Sequence, residues 1–498
     1  MNIQQVIKSH DTTRLSNLIF LAFLLIHTTA WTLVPGFVRE NLPLDSIEGA
    51  TWGHQLQWGY DKNPFMNGWL TALAAFLDGH SGWMVYCFSQ LSVAACLLCV
   101  YALGKKIMTP AYALCSVLLL EGIQYFNFHA IDFNDNTLEL GLWAAAIYFF
   151  YQAVNKRTLS AWLMTGMFLA LGMMAKYYTL ALIAALGLYL LRREHRSQLL
   201  TLPPYLALAV FIAIIAPHGY WLTQHDYVTV TYVFERADAV PSKFNHLFFP
   251  AQFIWQQFEA FIPALILFSF LFIGSKPHVT SPRPVIAKED RAFLIYAGFG
   301  PFVLTAILSL VMGIKLRAGW GMPLQSFWPL LLLMMLPPRL NLTKIIALTS
   351  GIFIFTTALL TGYTVSLVDS SDTSSANFPG KEIAATVAKQ WQDTYHTPLE
   401  YVAGPRWVAG NISYYSKEHP TVFMEWDQRK TTWINIEDFK QKGAVFVWNI
   451  SAHETLPEEV AKAYPRLEKA AVMEFDWRRN KHHLPPVKLG IAFLPPAN

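Results

Sequence analysis

The 498 residues are 54% apolar, 15% aromatic and only 14% charged, with a mean hydropathy of +0.32 and a formal net charge of +4. Soluble domains carry about 25% charged and about 45–50% apolar residues, so this composition excludes an ordinary soluble protein. The small net charge says little by itself; where the basic residues fall says more, and no nucleic-acid partner is expected.

In chain order, apolar blocks of about 16–25 residues predict about eleven membrane spans. They lie at 15–34, 83–104, 110–126, 138–154, 160–175, 177–192, 200–221, 252–273, 292–312, 322–337 and 342–366. Lys8 and Arg14 precede the first block and no small-residue cleavage site follows it, so it reads as a retained span and not as a signal peptide. All four cysteines (Cys87, Cys96, Cys99 and Cys115) sit inside apolar blocks as expected buried thiols, leaving no disulfide framework for the polar C-terminal third. With the N-terminus in the cytoplasm, the inner loops carry Lys105, Lys106, Lys156, Arg157, Arg192, Arg193, Arg196, Lys276, Arg283, Lys288, Arg291, Arg339 and Lys344. That distribution satisfies the positive-inside rule and puts the C-terminus outside. The apolar stretch 65–77 would invert every later loop if it crossed, so it is expected to lie along the outer membrane–water interface. The resulting organisation is an all-α polytopic membrane domain at 1–367, with a long first outer loop at 35–82, followed by a small α/β domain at 368–498. Within the latter, 380–395 and 457–463 read as helices and 399–403, 421–425 and 443–448 as strands.

The outer loops hold the candidate chemistry. In the first, Asp45 and Glu48 are three residues apart and share a helix face. The same spacing fits a capping box, with Asp45 as the cap and Glu48 three positions on. Tyr60, Asp61, Lys62 and Asn63 follow. The second loop, 127–137, contains His129, Asp132, Asp135 and three amides, and Glu139 lies within the next span, turned inward. Lys176 emerges between two apolar blocks, flanked by Tyr177 and Tyr178, where a snorkelling interface lysine is the plain alternative. Glu235, Arg236, Asp238, Lys243 and His246 share one later loop, and Lys315, Arg317 and Trp320 another. Cations brought from several loops to one face suit a phosphate or diphosphate head group, or anionic lipids. His129, His218 and His246 lack the tight spacing of a metal site.

The order of these pieces resembles the GT-C glycosyltransferases, and among them the bacterial protein-mannosyltransferase-like enzymes, the lipid A aminoarabinose transferases and the rhizobial lipopolysaccharide galacturonosyltransferases. The resemblance runs over about residues 15–366 and rests on several ordered motifs: 45–69 with its acid, helix and Trp58-Gly59-Tyr60, then 135–148, then Gly172-Met173-Met174-Ala175-Lys176-Tyr177, and finally 315–323. Two departures stand out: the second acid of the family's Asp-Glu pair is Ser46, and its Pro-Pro is Asn63-Pro64. The resemblance implies an inverting transfer from a polyprenyl-phosphate-linked sugar at the periplasmic face of the inner membrane. Asp45 would be the base, with Glu48 a substitute for the missing acid. Lys62, Lys176, Arg236, Lys315 and Arg317 would hold the donor phosphate, and Asp132, Asp135, Tyr60 and Asn63 would orient substrate. It further implies a divalent metal ion at Asp61 and His246. No nucleotide or organic cofactor is expected, since no nucleotide-binding loop occurs. Lipid A or a lipopolysaccharide core sugar is the expected acceptor, with membrane lipids around the chain. A protein hydroxyl acceptor on the same fold, and a transporter or flippase of a lipid-linked sugar, are the alternatives. The one-sided charges and the absence of related halves disfavour transport.

Overall fold

The computed structural model describes residues 3–237, 242–273, 283–369, 373–451, 455–469, 472–480 and 482–497; Asp238, Lys276 and the side chains of Lys8 and Arg236 lie outside the described residues. The chain begins with the long helix α1 (Ile3–Val38), then two short helices, α2 (Leu44–Gly53) and α3 (Met66–Asp78), before α4 (Trp83–Ile107) and α5 (Pro110–Leu120). Next come α6 (Asp135–Lys156), α7 (Leu159–Ala175), α8 (Leu180–Leu190), α9 (Pro203–Gln224), α10 (Val228–Ala237) and α11 (Asn245–Ser269). The membrane part closes with α12 (Lys288–Gly298), α13 (Gly300–Met312), α14 (Trp328–Met335) and α15 (Leu342–Val368).

Among the described residues, five helices (α1, α4, α9, α11 and α15) are long and apolar enough to cross a membrane alone. Two bent pairs add to them: α5 with the turn after it, at 85°, and α12 with α13, at 41°. The expected spans at 160–175 and 177–192 are shorter apolar helices. That at 138–154 is the 22-residue α6, and that at 322–337 is a 3-10 turn running into α14. The chain is a multi-pass membrane protein. Its helices approach closely through small residues: a Cβ at Gly166 of α7 would lie 2.1 Å from Ala207 O of α9. At the end holding the basic loops, Arg192 Nη1 pairs with Glu289 Oε2 at 2.9 Å and Tyr151 donates to Asp290 Oδ1 at 2.9 Å.

The bend after α5 has a polar hinge. The Glu121 carboxylate, within the bundle, lies 2.7 Å from His27 Nδ1 and accepts from Trp31 Nε1 at 3.3 Å and Thr356 Oγ1 at 3.0 Å. The Asn127 amide donates to Glu121 O at 2.9 Å. A carboxylate inside an apolar bundle persists only with such partners. Here they join α1, α5 and α15 at the corner from which the loop before α6 sets out.

The stretch 65–77 falls almost wholly within α3, which does not pass as a span. One face of α3 packs on α2, so tightly that a Cβ at Gly53 would lie 2.0 Å from Gly68 O. Its opposite face exposes Leu73, Phe76 and Leu77. The left-handed Gly79 (φ 59°) ends it, as glycine does at no steric cost.

The C-terminal unit is built on a six-stranded mixed sheet: β1 (Tyr401–Gly404), β2 (Thr421–Met424), β3 (Ala444–Asn449), β4 (Glu468–Lys469), β5 (Met473–Phe475) and β6 (Val487–Leu494), in the order β2-β1-β3-β6-β4, with β5 also on β6. β1 is parallel to β2 and β3, and β6 is antiparallel to β3. The expected helices are α16 (Gly380–Tyr395) and, later in the chain, Glu458–Ala463. A helix not expected, α17 (Arg406–Tyr415), follows β1. Trp52, Tyr60, Met173 and Met174 share one apolar cluster with Ile383, Val387, Trp391 and Val402, so the sheet domain and the first loop have a common core. Where α17 meets α2, a Cβ at Gly410 would lie 2.7 Å from Thr51 Oγ1 and 2.8 Å from Ile47 Cγ2. Gly410→Val is therefore expected to lower the melting temperature of the detergent-solubilised chain, at a cost of about 1–3 kcal/mol. An unchanged melting temperature would refute this packing.

Candidate active site

α2 begins after Pro43, whose side chain caps nothing. The free N–H groups of its first turn are taken from outside: Asp132 Oδ2 accepts from Asp45 N at 3.2 Å, and Asp132 Oδ1 from Ser46 N at 2.9 Å and Ser46 Oγ at 2.8 Å. Ser46 Oγ in turn accepts from Phe133 N at 3.1 Å. The capping box expected from Asp45 and Glu48 is thus corrected, for a carboxylate from the second loop does the capping. Ser46, where the family pattern has an acid, is the hydroxyl that completes this clasp. Asp45 is left to point elsewhere, half-buried, with its Oδ2 accepting from Asn134 Nδ2 at 3.1 Å. Burial raises the Asp45 carboxyl above the usual carboxylate range, helped by the charge of Glu48 and opposed by Lys62, Asn134 and Lys176. Asp132 is pushed up to about 7 by burial and by Asp45.

One turn along α2, Glu48 Oε1 receives Lys62 Nζ at 2.5 Å and, from the C-terminal domain, Arg406 Nη1. Arg406 Nη2 also reaches Asp61 Oδ2 at 3.0 Å, while Asp61 Oδ1 accepts from Trp52 Nε1 at 3.1 Å. On the other flank, Asn63 Nδ2 donates to Asp135 Oδ2 at 2.6 Å, and Lys176 Nζ to Asn136 Oδ1 at 2.5 Å. Lys176 also stands 5.1 Å above the ring of Trp320, three residues after Arg317. Asp135 Oδ1 is buried with no hydrogen-bond partner among the described residues. Glu139 is buried one turn below and accepts from Thr179 Oγ1 at 3.0 Å.

The structure therefore brings Asp45, Glu48, Asp61, Lys62, Asn63, Asp132, Asp135 and Lys176 into one neighbourhood formed by the first two long loops, the start of α6 and the end of α7. Tyr60 is fully buried; it stacks on Trp52 with ring centres 5.4 Å apart and donates to Gln55 O at 3.1 Å, so its place is in the packing of the loop. Asp132 likewise spends both oxygens on α2. Lys315 and Arg317 are exposed on the segment leading to Trp320. The Arg236 side chain, on α10, lies outside the described residues. The proposed metal pair does not fit: both Asp61 oxygens are engaged by N–H donors, one of them a guanidinium that repels a cation. His246 Nδ1 lies 2.8 Å from Leu310 O. No group of three or more His, Cys, Asp or Glu among the described residues converges on a metal position. His218 is held between Trp58 O at 2.7 Å and Tyr177 Oη at 2.5 Å. Arg406 and Glu121 escaped sequence reasoning, because both act on residues far away in the chain.

A multi-pass helical domain, an acid-and-lysine cluster and a sheet domain joined to that cluster define a protein of the GT-C fold. Residues 62–221 match the family model described as dolichyl-phosphate-mannose-protein mannosyltransferase, and fold and match together support an enzyme of the glycosyltransferase class. Two solved structures are similar in fold. ArnT from Cupriavidus metallidurans bound to undecaprenyl phosphate is 13% identical, with a TM-score of 0.63, over 97% of this chain and 99% of that one. ArnT from Cupriavidus metallidurans in the apo state has a TM-score of 0.61 at the same identity and coverage. No curated protein matches by sequence.

Proposed function

We propose that the chain is an inverting glycosyltransferase of the inner membrane, moving a sugar from a polyprenyl-phosphate-linked donor to a hydroxyl of lipid A or of the lipopolysaccharide core at the periplasmic face. The observation that carries this reading is that Asp132 caps α2 in place of Asp45, leaving a half-buried carboxylate on which the charges of Lys62 and Lys176 act. The acceptor oxygen attacks the anomeric carbon opposite the phosphate, and its proton passes to Asp45. The bond from that carbon to the phosphate oxygen breaks, its electron pair leaves with the lipid phosphate, and configuration inverts. Lys62 and Lys176 stabilise the departing phosphate, with Arg236, Lys315 and Arg317 as further cations on the same face. Asn63 and Asp135, hydrogen-bonded to each other, orient the sugar. Undecaprenyl phosphate, bound to the similar ArnT, supports a polyprenyl carrier. In this reading the N-terminus is cytoplasmic and the sheet domain periplasmic, as the basic loops require.

A second reading makes the acceptor a Ser or Thr of an exported protein, favoured by the name of the matching family. Mass spectrometry of lipid A and of periplasmic proteins, with and without the gene, separates the two. A sugar-sized mass lost from lipid A is expected, and the same loss confined to proteins would replace the first acceptor by the second.

The pH profile provides a further prediction. Burial raises both the Asp45 and Asp132 carboxyls, and the charge of Asp45 raises Asp132 further, so the two form a coupled pair. A base must be ionised, so activity is lost as pH falls through the pair's raised range. The acid limb of kcat/KM is expected above the ordinary aspartate value. Glu48→Gln removes a charge that raises Asp45 and moves the limb to lower pH; Lys62→Met removes one that lowers it and moves the limb up. A limb at the ordinary value, indifferent to both changes, would refute Asp45 as the base.

A further inference from the structure

Arg406 opens α17, directly after Gly404 and Pro405 at the end of β1, and so projects from the sheet domain toward the first loop. Its guanidinium is mostly buried and forks: one terminal nitrogen meets Glu48 Oε1, the other Asp61 Oδ2 at 3.0 Å, and Nε faces Glu425 Oε1 at 3.5 Å. Glu425 Oε1 also accepts from Arg406 N at 3.3 Å, which fixes the base of the side chain. The oxygen of Glu48 that takes Arg406 is the one that takes Lys62 Nζ at 2.5 Å. Sharing one oxygen between two cations leaves neither fully neutralised. Asp61 is also within electrostatic reach of Lys62. If Arg406 were absent, Glu48 and the buried Asp61 would both depend on Lys62 for a counter-charge, and Lys62 would be drawn inward and neutralised.

We propose that Arg406 is a positioning residue by which the C-terminal domain shares Glu48 and Asp61 with Lys62 and so leaves Lys62 for the phosphate of the donor lipid; the ligand half of this inference rests on the polyprenyl-phosphate reading above. Lysine in its place would keep a charge but not the fork, because one ammonium does not reproduce two separately aimed N–H groups. The inference assigns the sheet domain a part in the site, beyond covering it.

The test uses the full chain in nanodiscs, with two readouts. Amine acylation of Lys62, followed by peptide mass spectrometry against the exposed Lys389, reads the position of the lysine without any ligand. Binding of undecaprenyl phosphate reads its use. Arg406→Gln is expected to slow Lys62 labelling several-fold and weaken undecaprenyl phosphate binding about tenfold. Arg406→Lys tests the same point should the Gln variant fail to fold, and is expected to show slowed labelling and weakened binding in a folded chain. Arg479→Gln is the control. It removes another contact of the sheet domain with the membrane domain, Arg479 to Glu40 Oε1 at 3.0 Å, and is expected to leave both readouts at wild-type level. Wild-type labelling and binding in folded Arg406 variants would overturn the inference, as would equal losses in Arg479→Gln, which would make Arg406 a tether and nothing more. A wild-type chain that fails to bind undecaprenyl phosphate, while Arg406→Gln still slows Lys62 labelling, would overturn the donor reading and uphold the link between Arg406 and Lys62.

Discussion

Asp45→Asn is expected to abolish sugar transfer while leaving the protein inserted, folded and melting close to wild type. The substitution is isosteric, and the contacts that shape this turn belong to others: Asp132 holds the backbone N–H groups of Asp45 and Ser46, and Asn134 can meet an amide as well as a carboxylate. What is lost is the proton acceptor. General-base catalysis contributes about 10²–10⁴-fold, so turnover should fall by about that factor or below detection. Lipid A mass spectra from cells carrying only the variant should match those of the deletion strain. Restored wild-type spectra would remove Asp45 from the mechanism, and a transporter of lipid-linked sugar would become the better account.

Asp132→Ala is expected to lose activity too, but by losing structure. The first-turn N–H groups of α2 and the hydroxyl of Ser46 would be left without their acceptor, and loss of a cap costs about 0.5–2 kcal/mol, with a further penalty for each buried donor left unpaired. The melting temperature should drop and amide exchange across α2 should accelerate, with transfer reduced by about two orders of magnitude as Asp45 loses its aim. The contrast between the two variants is the useful result: activity falls in both, but destabilisation appears only at Asp132. If Asp132→Ala melted like wild type and α2 exchanged no faster, the clasp would not be what holds this helix.

Much of the membrane part was legible because lengths and charges are local quantities. The apolar blocks marked the long apolar helices, and 65–77 falls almost wholly within α3, a 13-residue helix that is too short to count among them. In the sheet domain, 380–395 and the first three strands were readable from periodicity. α17 was not: Ala409, Gly410, Asn411 and Ser413 are buried between the sheet core and α2, so small and polar residues occupy positions where a sequence pattern expects large apolar ones. The site was half legible. The spacing of Asp45 and Glu48 marked a helix, α2, but assigned Asp45 the wrong structural duty, because the cap stands 87 residues downstream. Arg406 meets Glu48 across 358 residues, a pairing that no local pattern encodes.

The clasp on α2 also bears on when the protein can work. As the chain leaves the ribosome, α2 is made long before the loop bearing Asp132 and the domain bearing Arg406. During synthesis the helix that carries Asp45 lacks its cap and Glu48 lacks its second cation, so the nascent protein has Asp45 in its sequence but not in its folded setting. The full set of contacts on α2 arrives only with the sheet domain, so a chain terminated before it would carry the apolar helices without the second cation of Glu48.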